Sequence, residues 1–169
     1  MKKIFRYLLL SCTLLMLVAC GKPDSQKAFE EKFKEFNSYI TERMEGADEG
    51  TKKMAEIMSK ATFKVNKAEE KGDTSELNVT VKAVNLGKYI NEYVAAATAK
   101  FGTEIQPDEK EFNDFSVEYF SNVAKDKNLE YTETDVNVQM QKINGKWEIV
   151  NSDDLVLAIL GGAATALGL

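Results

Sequence analysis

The chain has 169 residues, with 22 lysines and arginines, 27 aspartates and glutamates, a net charge of −5 and no histidine. Without histidine there is no Ser-His-Asp or Cys-His nucleophile, no histidine zinc site and no haem held by histidine. Carboxylate acid–base chemistry and an all-oxygen calcium or magnesium site stay open. The acidic balance argues against nucleic acid as a partner, because that binding is driven by neutralising phosphates.

Met1 to Tyr7 carries Lys2, Lys3 and Arg6 and no acid. Leu8 to Val18 is apolar apart from Ser11, Cys12 and Thr13, and Ala19 then precedes Cys20. A basic start, a short apolar run and a small residue at the cut are the parts of a secretory leader. The run falls short of the ~20 residues that a membrane span needs. Leu17-Val18-Ala19-Cys20 also resembles the lipobox of bacterial lipoproteins. That resemblance implies a diacylglyceryl group on the Cys20 thiol and cleavage just before it. Residues 1–19 are then a signal peptide, and Cys20 is the lipid attachment site. Two acyl chains anchor stably where one binds marginally. An ordinary cleaved signal or an uncleaved membrane helix are the alternatives, and the first leaves Cys20 an unexplained lone thiol.

The leader holds three of the 22 basic residues and none of the 27 acids, so the mature chain carries a net charge near −8. Such a body is repelled by an anionic membrane surface, which leaves the lipid to hold it there. Cys12 leaves with the leader, so no disulfide is expected in the exported form. Residues 20–27 read as the lipidated cysteine and a polar tether, and 28–169 as one domain.

Ala28 to about Glu45 reads as a helix, because Phe29, Phe33, Phe36, Ile40 and Met44 share one face. Ser25 or Asp24 is its expected cap. Thr51 to Lys60 is a second short helix, with Met54, Ile57 and Met58 on one side. The period then changes to two. Phe63 and Val65 alternate with polar residues, as do Leu77, Val79, Val81 and Ala83 beyond Lys71-Gly72-Asp73. A three-residue loop with Glu70 opposite Thr74 sets Val65 against Val79 and Phe63 against Val81, so that one face is apolar; a two-residue loop would split them.

Leu86 to Phe101 is the clearest helix, striped by Leu86, Tyr89, Ile90, Tyr93, Val94, Ala97 and Phe101, with Gly102 ending it. Pro107 suits the first turn of the next, with Phe112, Phe115, Tyr119 and Val123 expected inward and Asn128 at the stop. Val136, Val138 and Met140 open a second hairpin about a type I′ Asn144-Gly145 turn. Ile143 then opposes Lys146, Met140 faces Ile149 and Lys142 faces Trp147. Val138, Met140, Trp147 and Ile149 share one face, and Trp147 is a core anchor. Ser152 is the expected cap of a last helix. The apolar run from Leu155 reads as the closing piece of the core with a loose end; a segment that touches lipid or another subunit is the alternative.

The order helix, helix, hairpin, helix, helix, hairpin, helix predicts an α+β fold. Its two hairpins are expected to join in one curved antiparallel four-stranded sheet packed with amphipathic helices. The lipobox, the Phe-striped first helix and the Asn144-Gly145-Lys146-Trp147-Glu148-Ile149-Val150 strand resemble small lipoproteins of Gram-positive bacteria that carry a cystatin-like, or nuclear-transport-factor-like, domain of unknown function. The resemblance implies a fold and no activity.

Acids cluster at Asp48-Glu49, at Asp108-Glu109-Glu111-Asp114, from Glu130 to Asp135 and at Asp153-Asp154. Each stands at a helix start, on a polar face or in a turn, where capping and solubility account for it. None has calcium-loop spacing. No catalytic residue, metal ligand or cofactor is nominated. The expected function is a membrane-anchored module at the cell envelope, held by the diacylglyceryl group on Cys20, that binds a protein, peptide or wall component. One alternative is a pocket for a small ligand, lined by Phe, Tyr and Met with an acid at its mouth. The other is a carboxylate hydrolase of wall glycans, which needs two acids converging at ~5–9.5 Å.

Overall fold

The computed structural model describes residues 21–42, 46–102 and 108–168, the side chain of Thr41 apart. Residues 1–19, which read as a signal peptide, and Cys20, Met44 and Pro107 lie outside the described residues. The elements in chain order are α1 (Asp24–Glu42), α2 (Glu49–Met58), β1 (Thr62–Lys71), β2 (Thr74–Val84), α3 (Leu86–Phe101), α4 (Glu109–Lys125), β3 (Tyr131–Ile143), β4 (Lys146–Asn151), α5 (Asp153–Ile159) and α6 (Ala163–Ala166). The four strands form one antiparallel sheet in the order β1-β2-β3-β4, so the fold is α+β, and the sheet is open. The helical pair α3–α4 is inserted between neighbouring strands β2 and β3.

The helix α1 starts at Asp24, four residues before the expected Ala28, so Asp24 to Lys27 belong to it and not to a tether. Ser25 is therefore no cap. It is fully buried, its hydroxyl lies 2.8 Å from that of Ser75, and its N–H donates to Glu70 at 3.2 Å. The first turn thus finds its acceptor on the β1–β2 hairpin, which supplies what a capping side chain would otherwise provide. In α2 that acceptor is local, with the Asp48 carboxylate taking the Thr51 N–H at 2.9 Å.

The first hairpin corrects the expected loop. Lys71 opposes Thr74 across a two-residue Gly72-Asp73 turn, and Glu70 opposes Ser75. Gly72 has φ +62, as the first position of a II′-type hairpin turn demands. The apolar face survives because the register shifts between Val65 and Lys67, leaving Asn66 as a bulge. Val65 still opposes Val79 and Phe63 still opposes Val81. The second hairpin has the expected register, with Asn144 at φ 53 and Gly145 at φ 80, Ile143 opposite Lys146 and Trp147 opposite Lys142.

Two apolar clusters result. In the first, Phe29 and Phe33 of α1 meet Leu77, Val79 and Val81 of β2, Val138 and Met140 of β3, Trp147 of β4 and Leu155 of α5. In the second, Ile57 of α2 packs with Leu86, Tyr89 and Ile90 of α3, Phe120 and Val123 of α4, and Ala163 of α6. The α3–α4 pair outruns this cluster. Val94 is 54% and Phe112 39% exposed, although both were expected inward. The α4 helix is capped by Asp108 and ends at Asp126, not Asn128.

The C-terminal run packs onto the body as two short helices. Leu155, Ala158 and Ile159 are buried in the first cluster and Ala163 in the second. Ser152 precedes α5 without a side-chain capping bond.

Candidate functional site

The site grows from the spacing of phenylalanines on α1. Phe29 and Phe33 fill the space between helix and sheet, where both rings meet Phe63 of β1 at 5.3 and 4.6 Å between centroids. Phe36, one turn further on, is half-buried, and Tyr39 beyond it is 47% exposed. On the other side β4 is six residues long, and its pairing with β3 shifts at Val150, so the chain leaves the sheet early and turns into α5. The three elements part there and leave an apolar crevice of about 200 Å³, lined by Phe33, Phe36, Ile149, Leu155, Val156 and Ile159. At its rim Lys32 of α1 is ion-paired with Glu148 of β4.

This is not the pocket expected from the sequence. The space between α1 and the sheet is filled by side chains, and the crevice contains neither Tyr nor Met. Its volume falls below the ~300–1,000 Å³ of small-molecule sites, and it is open along one side. Its volume has room for one or two apolar side chains. The rim ion pair sets a polar edge beside an apolar floor, as in the anatomy of protein interfaces.

The acid clusters are engaged separately. Asp108 accepts the N–H groups of Lys110 and Glu111 at the start of α4. Asp114 pairs with Lys110, Glu111 with Lys100, and Glu130 with Lys88. Asp135 accepts the Thr80 hydroxyl. The Thr51 hydroxyl and N–H hold the Asp48 carboxyl below its ordinary pKa, and Lys53 does the same to Glu56. A general acid for glycoside cleavage needs displacement upward. Among the described residues no three acid or cysteine side chains gather as a metal site would require.

One polar feature was missed in the sequence. On the outer face of the sheet the bulged Asn66 donates to Asn78 at 3.0 Å and to Thr80 at 2.7 Å, and Asn78 donates to Asn137 at 3.0 Å. The three amides come from three strands and form a row, with the Thr80 hydroxyl as a fourth member. The only signal was their place on the polar side of each alternation.

The fold and its slot define an α+β domain with a four-stranded meander sheet, a helical insertion and an open apolar crevice beside its first helix. No family model and no curated protein matches the chain. Among solved structures it is similar to a candidate lipoprotein of Bacillus subtilis, YcdA, at 20% identity and a TM-score of 0.43, over 75% of this chain and 44% of that one. The chain thus spans less than half the length of that protein. Among the described residues no helix is long and apolar enough to cross a membrane.

Proposed function

We propose that this protein is a lipid-anchored lipoprotein of the cell envelope that acts as a non-enzymatic binding module. The crevice between α1, β4 and α5 is its contact site for a protein or peptide. The observation that carries the reading is the Leu17-Val18-Ala19-Cys20 lipobox, standing immediately ahead of a folded domain that begins at Asp24. A diacylglyceryl group on Cys20 would hold that domain at the membrane face with almost no intervening chain. The crevice supports the binding half, because it is apolar, edged by an ion pair and too small to enclose a ligand. The cystatin-like assignment belongs to this reading. It is supported by the packing of α1 against one face of an antiparallel sheet, and the α3–α4 insertion is the departure from the simplest form.

Two measurements test it. Intact-mass analysis of the protein from its membrane fraction should show a chain starting at Cys20 with the mass of two or three acyl chains. Cys20→Ala should leave an unlipidated precursor. An unmodified Cys20 in the mature chain ends the anchoring reading. For the contact site, photo-crosslinking residues at Phe36 and Val156 should give the same discrete adduct on intact cells, whereas one at Asn137 should not. Adducts at Asn137 alone would move the site to the outer sheet face.

A further inference from the structure

The anchored end of the domain has a composition of its own. The Asp73 carbonyl accepts the Lys142 N–H at 2.8 Å, so the tips of both hairpins are tied together. The first turn of α1 is tied to the same place through Ser25, Glu70 and Ser75. Lys142 is near enough to Asp24 for its charge to help hold that carboxylate down, after the larger effect of Lys27. The start of α1, the Gly72-Asp73 turn and the Asn144-Gly145 turn therefore form one end of the molecule.

That end must face the bilayer if Cys20 is acylated, and in this the inference rests on the proposed function. Four residue steps separate Cys20 from Asp24, which span at most about 14 Å when fully extended. The helices α3 and α4 follow the opposite end of β2 and lie away from it.

Charge and polarity fit that placement. The tip Lys142-Ile143-Asn144-Gly145-Lys146 holds two lysines and no acid, with the Ile143 side chain 46% exposed between them. Lys71 flanks the neighbouring turn, its ammonium 4.0 Å from Glu69. Lys22 and Lys27 pair with Glu30 and Asp24, while Glu70 accepts the Ser25 N–H and keeps its charge, as does Asp73 in the turn. Along β3 the charge changes sign, from Glu133 and Asp135 near its start to Lys142 near its end. The net negative charge of the chain is thus concentrated away from the anchored end.

We propose that the hairpin tips form a membrane-docking face, in which Lys71 and Lys146 sit on an anionic bilayer surface and Ile143 enters its headgroup layer. The anchor then fixes orientation as well as location, and the crevice is presented at a constant angle. Repulsion expected from net charge alone is reduced, because Lys22, Lys27, Lys71, Lys142 and Lys146 balance Asp24, Glu30, Glu69, Glu70 and Asp73 at this end, and screening hides the rest beyond about 8–10 Å.

The test uses the full lipidated protein purified from membranes and placed in vesicles of anionic phosphatidylglycerol or neutral phosphatidylcholine. Acylated Cys20 is unreactive, so Ile143→Cys accepts one environment-sensitive fluorophore, and Ala99→Cys on α3 gives a control. On anionic vesicles the label at 143 should be blue-shifted and shielded from an aqueous quencher, while the label at 99 stays accessible. Lys71→Glu with Lys146→Glu should lower the docked-to-free ratio by at least about 25-fold, since each lysine near such a surface contributes about fivefold. Equal quenching at 143 and 99, or equal shielding on neutral vesicles, overturns the docking face while the anchor stands. Intact mass of the same sample reports the anchor separately. An unlipidated Cys20 removes the tether constraint and overturns both.

Discussion

Gly87 approaches Gly162 so closely that a Cβ on Gly87 would stand 2.6 Å from the Gly162 carbonyl oxygen. The Gly87 N–H also donates to the Gly161 carbonyl at 3.0 Å. The diglycine between α5 and α6 is therefore a seam that fastens the C-terminal segment to the start of α3. Gly87→Ala should destabilise the protein by about 1–3 kcal/mol, as overpacking against backbone does. Gly46, with open space around it, is the control, and Gly46→Ala should change stability by less than about 0.5 kcal/mol. Urea unfolding of both variants measures the difference.

The Ser25 and Ser75 hydroxyls form an isolated buried pair. Ser25→Ala leaves Ser75 buried with an unmet hydroxyl, which should cost about 1–3 kcal/mol, and Ser75→Ala does the same in reverse. The double variant should cost clearly less than the sum, because it leaves no orphan. A double-mutant cycle reads this coupling. Additive losses would mean that the two serines act only through local backbone effects.

Trp147 is 6% exposed, and its Nε1 is buried without a hydrogen-bond partner among the described residues. The Lys142 ammonium lies 5.1 Å from its ring centroid. The indole thus serves through volume and ring face. Trp147→Ala should cost ~3–5 kcal/mol. Trp147→Phe should cost less than about 2 kcal/mol, since it keeps most of the packing and a weaker cation–π contact and forfeits no hydrogen bond. A large loss in the phenylalanine variant would point to an acceptor for the indole N–H.

Tyr119 gives a prediction in alkali. Burial first, and then the Glu92 charge, push its phenol up to about 12. The folded state therefore keeps this proton where the unfolded chain, with an ordinary value of about 10, releases it. The stabilisation is complete below pH 10 and is lost as pH rises towards about 12. Tyrosinate absorbance should show one late-titrating phenol, absent in Tyr119→Phe. That variant should also flatten the fall of stability between those values.

Local chemistry made much of the fold legible. Asn144-Gly145 declares its turn because both positions need positive φ, and α3 declares its bounds because Leu86 opens a stripe and Gly102 closes it. Long-range effects were not legible. Ser25 reads as a cap, yet Glu70, 45 residues away, takes the N–H that a cap would serve. Val94 and Phe112 continue their helical stripes correctly, but the helices run past the body that would cover them. The crevice needs Phe36, Ile149 and Val156 from three separated segments, and no spacing announces it.

Asn66 carries the last prediction. With a two-residue turn, strict alternation in β1 would put Val65 and Phe63 on the wrong face, because one step in register exchanges the two sides of a sheet. The bulge absorbs that step. Lys67 opposes Asn78 and Val65 opposes Val79, which are already consecutive on β2. Deleting Asn66 would therefore leave a regular ladder with every apolar residue still facing α1. The cost should be limited to the bonds that Asn66 makes with Asn78 and Thr80, about 0.5–1.5 kcal/mol each. Deleting Lys67 instead should be tolerated equally, with Asn66 taking its place in the ladder. Deleting Ala68 should not, because Lys67 would then take its place opposite Leu77 and put a lysine on the apolar face. Circular dichroism and urea unfolding of the three deletions measure this. Equal collapse of all three would mean that the bulge is needed for the sheet to bend around α1, and not only to correct its register.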